Sequence, residues 1–195
     1  MRSSLHLEKK AIRALGIAES FKKDQDISTL AGVVMRSDLV IDGFGIDSLK
    51  VSGSDATKAV LRLYQKINRN DINSVLISGS VLSLYNVLDI DTIFEKLEKP
   101  VIALSFSKAA SDLALNIRTR FPEKIATEKI ELLEKLGAAQ KIRLKTGYDI
   151  FVRSAGISQN VCAKLLDKFT LQGAIPEPIR VARLLAKTAA ALRVK

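Results

Sequence analysis

The chain has 195 residues, 47% of them hydrophobic, and a formal net charge of +10 at pH 7. That length and apolar content suffice for one well-buried core and predict a single domain over residues 1–195. A lone cysteine, Cys162, excludes an intrachain disulfide framework and a cysteine-rich zinc site. No apolar run is long enough to span a bilayer, and the first ten residues lack the apolar core of a signal peptide, so a soluble cytoplasmic protein is expected. The positive charge favours a polyanionic partner. Aromatics make up only 5% of residues and tryptophan is absent, which argues against a row of base-stacking platforms. Contact with nucleic acid is therefore expected at the phosphate backbone, with strong salt dependence.

The pattern predicts a buried strand over 11–17, leading into Gly16-Ile17-Ala18-Glu19-Ser20 and a polar loop over 21–26. Two β-rich runs, 30–35 and 39–46, are separated by Arg36-Ser37-Asp38 and read as a hairpin. Ser54 and Asp55 offer an N-cap for a helix with Ala59, Val60, Leu63, Tyr64 and Ile67 on one face. A short strand over 73–77 runs into Ser78-Gly79-Ser80. Asp89 or Asp91 then caps a helix that Pro100 breaks, and 101–106 is another strand. A helix over 128–136 stops at Gly137, strand-like runs 141–144 and 148–153 flank a turn, and Ser158 precedes a helix with Cys162 on its apolar stripe. A last helix runs from about Pro178 towards Leu192.

Three strands with hairpin-like links, then helix, strand, helix, strand, is the chain order of the RNase H-like fold. The fold class expected is α/β, with a mixed five-stranded sheet, helices on both faces, and a C-terminal hairpin and helices. Other α/β folds share that order of elements.

The most informative stretch is Thr170-Leu-Gln-Gly173-Ala-Ile-Pro176-Glu177-Pro178-Ile-Arg180-Val-Ala182. Proline suits a first helical turn because its missing N–H has no intrahelical partner there, so Glu177 is fixed near a helix N-terminus. On its own that is a helix start with a favourable charge–dipole contact. The run also closely resembles the C-terminal signature of the archaeal endonuclease dU family, relatives of endonuclease V. The resemblance continues in His6-Leu-Glu-Lys-Lys-Ala-Ile-Arg13-Ala-Leu-Gly16-Ile, Val33-Val-Met-Arg36, Asp38-Leu-Val-Ile-Asp42-Gly43, Asp55-Ala-Thr57 and Tyr85-Asn86-Val-Leu-Asp89-Ile. It implies an RNase H-like nuclease fold, DNA as partner, and Mg²⁺- or Mn²⁺-dependent cleavage of DNA carrying a deaminated base.

Such cleavage needs carboxylates that converge on hard cations, which activate water and neutralise the leaving oxygen. Family members, as the resemblance suggests, read G-I-D-D after the first strand and D-G after the fourth. Here the matching residues are Gly16-Ile17-Ala18-Glu19 and Ser78-Gly79. Ala18 cannot ligate, and Ser78 offers only a neutral hydroxyl. The remaining candidates are Glu19 and Glu177 as catalytic and metal-binding acids, with Asp89 as a third metal ligand. Against these, Glu19 reads as a loop acid, and Asp89 and Asp55 read better as helix caps than as ligands.

Arg180, Arg183 and Lys187 form a basic stripe at helical spacing and are candidates for phosphate contact, against ordinary solubilising charge. Ser78 and Gly79 could present backbone N–H groups to an anion, against a plain tight turn. His6-Leu-Glu8 matches half of a zinc-deaminase motif, but no P-C-x-x-C follows. Cys162 reads as an inert core thiol. No nucleotide-binding glycine loop is present. Two readings stay open: a metal-dependent endonuclease with a degenerate acid site, and a non-catalytic nucleic-acid-binding or partner subunit on the same scaffold.

Overall fold

The computed structural model describes residues 11–22, 25–106 and 112–192. His6 lies outside them. The strands are β1 (Arg13–Ser20), β2 (Ile27–Arg36), β3 (Ile41–Lys50), β4 (Ser74–Ser78), β5 (Val81–Leu82), β6 (Asn86–Val87), β7 (Val101–Ser105), β8 (Gln140–Arg143) and β9 (Asp149–Ala155). The helices are α1 (Ala56–Ile67), α2 (Ile90–Leu97), α3 (Leu113–Arg120), α4 (Glu123–Leu136), α5 (Gln159–Phe169) and α6 (Glu177–Leu192).

β1, β2 and β3 form an antiparallel meander, while β1, β4 and β7 run parallel. The β8–β9 hairpin joins this sheet through β9, which pairs antiparallel with β7. The five expected strands thereby become a seven-stranded mixed sheet in the order β3-β2-β1-β4-β7-β9-β8. Docking the hairpin there gives the β7 edge hydrogen-bonding partners that it would otherwise lack.

β1 sets up both faces through its two-residue side-chain period. Leu15 and Ile17 point into a core built with Ala59, Val60 and Leu63 of α1 and Ile90 and Ile93 of α2. Ala14, Gly16 and Ala18 point the other way. Ala14 joins the core formed with Cys162, Leu165, Leu166 and Phe169 of α5, and Ala18 packs with Val33 and Ala182 under α6. Small residues on this second face let α6 come close. An ideal Cβ on Gly16 would lie 2.3 Å from the backbone carbonyl carbon of Pro178. Gly16 and the proline–glutamate–proline run are thus two halves of one contact.

The expected elements are all present, with shifted ends. β2 and β3 are longer than their apolar runs, and α4 begins at Glu123, directly after Pro122, instead of at 128. α3 and the small β5–β6 hairpin carry too little periodic signal to be seen in the sequence. Cap chemistry also differs from expectation. Asp55 sits at the N-cap position of α1 without a side-chain cap bond; Asn86 Oδ1 accepts from Ala56 N at 2.9 Å instead. Asp55 holds Asn86 Nδ2 at 2.8 Å, so the cap is relayed across 31 residues of sequence. Ser158 occupies the N-cap position of α5, also without a side-chain cap bond. Cys162 is fully buried, and burial pushes its thiol pKa up to about 12, the state of an inert core thiol. Among the described residues no helix is long and apolar enough to cross a membrane.

Candidate nucleic-acid interface at the carboxyl ends of β1 and β4

Parallel pairing runs from Ala14 opposite Ser74 to Ile17 opposite Ile77. The next step sets Ala18 beside Ser78, about 4.8 Å apart across the sheet. Both face α6, because Ala18 packs on Ala182 and Ser78 is reached by Arg183. The two positions where the family resemblance expects acids therefore meet at one place.

That place is cationic. Arg183 donates to Ser78 Oγ from Nε at 3.1 Å and from Nη2 at 2.7 Å. Its guanidinium lies over the Phe106 ring, 4.6 Å from the centroid, which fixes its plane. Burial lowers the Arg183 pKa from its ordinary value. From the other face Arg153 of β9 donates to Ser80 Oγ at 3.2 Å and to the Gly137 carbonyl at 2.9 Å. Burial lowers its pKa as well. Gly79 lies between the two serines at φ +107°, and its own N–H turns back onto the Ile77 carbonyl at 2.9 Å. The Gly79 amide is therefore engaged within the turn, contrary to the expected backbone cradle; the serine and arginine side chains supply the donors.

The three carboxylates expected to share a cation are not brought together. Glu19 continues the β1 alternation onto the α1 face, accepting from Ser28 Oγ at 2.6 Å and Ser83 N at 3.2 Å. The latter bond steadies three consecutive left-handed residues, Ser83, Leu84 and Tyr85, at φ 40°, 54° and 57°. Such residues cost roughly 1–2 kcal/mol each. The Tyr85 carbonyl is further held by Lys129 Nζ at 2.9 Å. Asp89 is the N-cap of α2, accepting from Thr92 N at 3.0 Å, and pairs with Lys135 at 2.8 Å. Burial opposes its ionisation, but the bonds from Lys135 and Thr92 outweigh that and hold its pKa below the usual aspartate value. Glu177 is buried at the start of α6 and bonded by Arg180 Nε at 2.7 Å. It sits about 1.7 turns before Arg183, about 9 Å back along the helix axis.

Among the described residues no group of three or more Asp, Glu, His or Cys is placed to hold a metal ion. A divalent cation does not fit the end of β4 either, where a guanidinium already donates to the Ser78 hydroxyl and no carboxylate stands beside it among the described residues. Of the basic stripe, Arg180 is neutralised by Glu177, which raises its pKa, while Lys187 is exposed. Arg153 escaped the sequence reading. Its only signal is an arginine between the inward residues Val152 and Ala155 of β9.

This sheet order, with α6 laid along β1, is that of the RNase H-like fold class. The structure resembles endonuclease V of Ciona intestinalis, solved with DNA containing inosine, with TM-score 0.61 and 16% identity over 95% of this chain and 88% of that one. It is also similar to a protein of unknown function from Archaeoglobus fulgidus, with TM-score 0.80 and 23% identity over 91% of this chain and 98% of that one. Within the class, residues 10–190 match the endonuclease dU family, to which the chain belongs. A UPF0215 protein of Pyrobaculum calidifontis is 33% identical over 172 residues, covering 88% of this chain and 93% of that protein.

Proposed function

We propose that the protein binds DNA at the carboxyl ends of β1 and β4 and has lost the cation site that metal-dependent cleavage requires. The observation that carries this reading is the paired hydrogen bond from Arg183 to Ser78, beside Ala18. Phosphodiester hydrolysis with Mg²⁺ or Mn²⁺ needs several oxygens in one coordination sphere. Here Glu19 supports a strained turn, Asp89 caps a helix, and Glu177 is paired with Arg180. A guanidinium at the same place attracts phosphate without activating water. Family membership supports nucleic acid as the partner, and the fold relative solved with DNA supports the same class of partner. Discrimination of a deaminated base is the family activity that the scaffold would have inherited in a binding-only form.

The test uses duplexes carrying uracil or hypoxanthine, assayed for cleavage with Mg²⁺ and with Mn²⁺ and for binding across a salt series. The expected result is binding with no cleavage, and with log affinity falling by about 0.9 per log unit of salt for each phosphate neutralised. Arg183→Met should weaken binding, whereas Arg180→Met should change it little, since Glu177 already balances that charge. Rapid metal-dependent cleavage abolished by Glu19→Gln would overturn the reading and restore Glu19 as a catalytic acid.

A further inference from the structure

Among the described arginines, Arg13, Arg36, Arg62, Arg69, Arg143 and Arg180 each have a carboxylate within 4.0 Å. Arg118, Arg120, Arg153 and Arg183 have none among the described residues, and of these four only Arg153 and Arg183 are partly buried. A guanidinium taken out of water without a countercharge is unfavourable unless an anion completes it. The two that share this condition converge on hydroxyls two residues apart in the chain.

We infer that Arg153 and Arg183 are the two jaws of a metal-independent clamp for one phosphate group of a nucleic-acid strand, seated over Gly79 between Ser78 and Ser80. The inference rests on the DNA-binding reading and adds to it the ligand group and a second arginine. Arg183 uses Nε and Nη2 on Ser78, which leaves its Nη1 amino group without a partner among the described residues. Arg153 uses Nε on Gly137 and Nη1 on Ser80, which leaves its Nη2. Each serine oxygen accepts from an arginine, and its own hydroxyl proton can still donate to a bound oxyanion. Two amino groups and two hydroxyls then surround a turn whose central residue has no side chain. Residues two apart are separated by at most about 7 Å, the span over which a single phosphate can bridge two such donor sets. The positive φ of Gly79 disfavours any side chain there. The permanent charge of the two guanidinium groups takes the place that divalent cations hold in a carboxylate-lined site.

Two measurements in EDTA test the clamp. Binding of a short duplex across a salt series is compared for wild type, Arg153→Met, Arg183→Met and the double variant. If both arginines grip one phosphate, each single variant and the double variant lower the slope by the same amount, about 0.9. A drop twice as large in the double variant means two separate phosphates and overturns the clamp, as does an unchanged slope. In wild type, inorganic phosphate is titrated while the arginine Nε–Hε signals are followed. The signals of Arg153 and Arg183 are expected to move together along one saturation curve, with that of Arg180 unmoved. Phosphate binding without DNA binding would leave the clamp standing and remove the DNA reading. DNA binding with both signals unmoved by phosphate would do the reverse. The titration needs no variant, so it stands even if a substitution unfolds the chain.

Discussion

The two faces of the sheet at the ends of β1 and β4 treat charge in opposite ways. On the α1 face the acids are engaged in structure: Glu19 holds Ser28 and Ser83, and Asp47 sits 3.2 Å from Lys66 and 3.4 Å from Arg62. On the α6 face Ala18 and Ser78 stand where acids were expected, and Arg183 has no carboxylate partner among the described residues. The lesson is that net charge of +10 is a poor guide to where a polyanion goes. What matters is which cations are left unneutralised once the acids have found their structural partners.

The largest expected effect tests how differently the faces are built. On the α6 face Gly16 meets backbone, with an ideal Cβ 2.3 Å from a Pro178 carbonyl carbon. On the α1 face a Cβ on Gly32 would meet only side-chain tips, with Ile67 Cδ1 at 3.0 Å. Gly16→Ala should therefore cost about 3 kcal/mol or more and Gly32→Ala about 1 kcal/mol, read from urea midpoints. Equal losses would mean that α6 can lift away from β1 as easily as Ile67 can rotate.

Glu19→Gln is the intermediate case. It keeps the shape and removes the charge from the bonds to Ser28 and Ser83, so stability should fall by about 1–2 kcal/mol. The salt slope of DNA binding should stay unchanged, because Glu19 serves the turn over 83–85. A changed slope at constant stability would place its carboxylate in the interface.

The smallest effect concerns Asp89. Its pKa is lower in the folded state, so its contribution is present above the unfolded-state value and lost as pH falls through the folded one. Asp89→Asn keeps a good capping residue and loses only the pair with Lys135, for about 0.5–1 kcal/mol at neutral pH. Once pH has fallen below the folded-state pKa of Asp89, the variant and wild type should have the same urea midpoint. A gap that persists in acid would show that the carboxylate acts through shape and not charge.

Much of the fold was legible because it rests on local periodicity. The alternation through Ala14-Leu15-Gly16-Ile17-Ala18 and the spacing of Ala59, Val60 and Leu63 mark a strand and a helix face without reference to anything distant. α3 was hidden because Ile117 is its one buried residue, which leaves no stripe to read. At the site, resemblance marked Ala18, Glu19, Ser78 and Glu177, and Arg183 stood out as part of a basic stripe. Which of them meet depends on parity along β1: adjacent residues point to opposite faces, so Ala18 looks at α6 and Glu19 at α1. Arg153 could not be found, since its partner Ser80 lies 73 residues away and nothing local distinguishes it from a solvated arginine.

The contact between Ser78 and Arg183 also sets an order of events during synthesis, since the two residues are 105 positions apart. At elongation rates of about 5–20 residues per second, the end of β4 is synthesised roughly 5–20 s before its arginine. Through that interval the meander and β4 can pair, yet the strip of Ala14, Gly16, Ala18 and Val33 has no α6 to cover it. The nascent protein therefore carries a bare apolar stripe and a Ser78 hydroxyl without its arginine together, and one late helix resolves both.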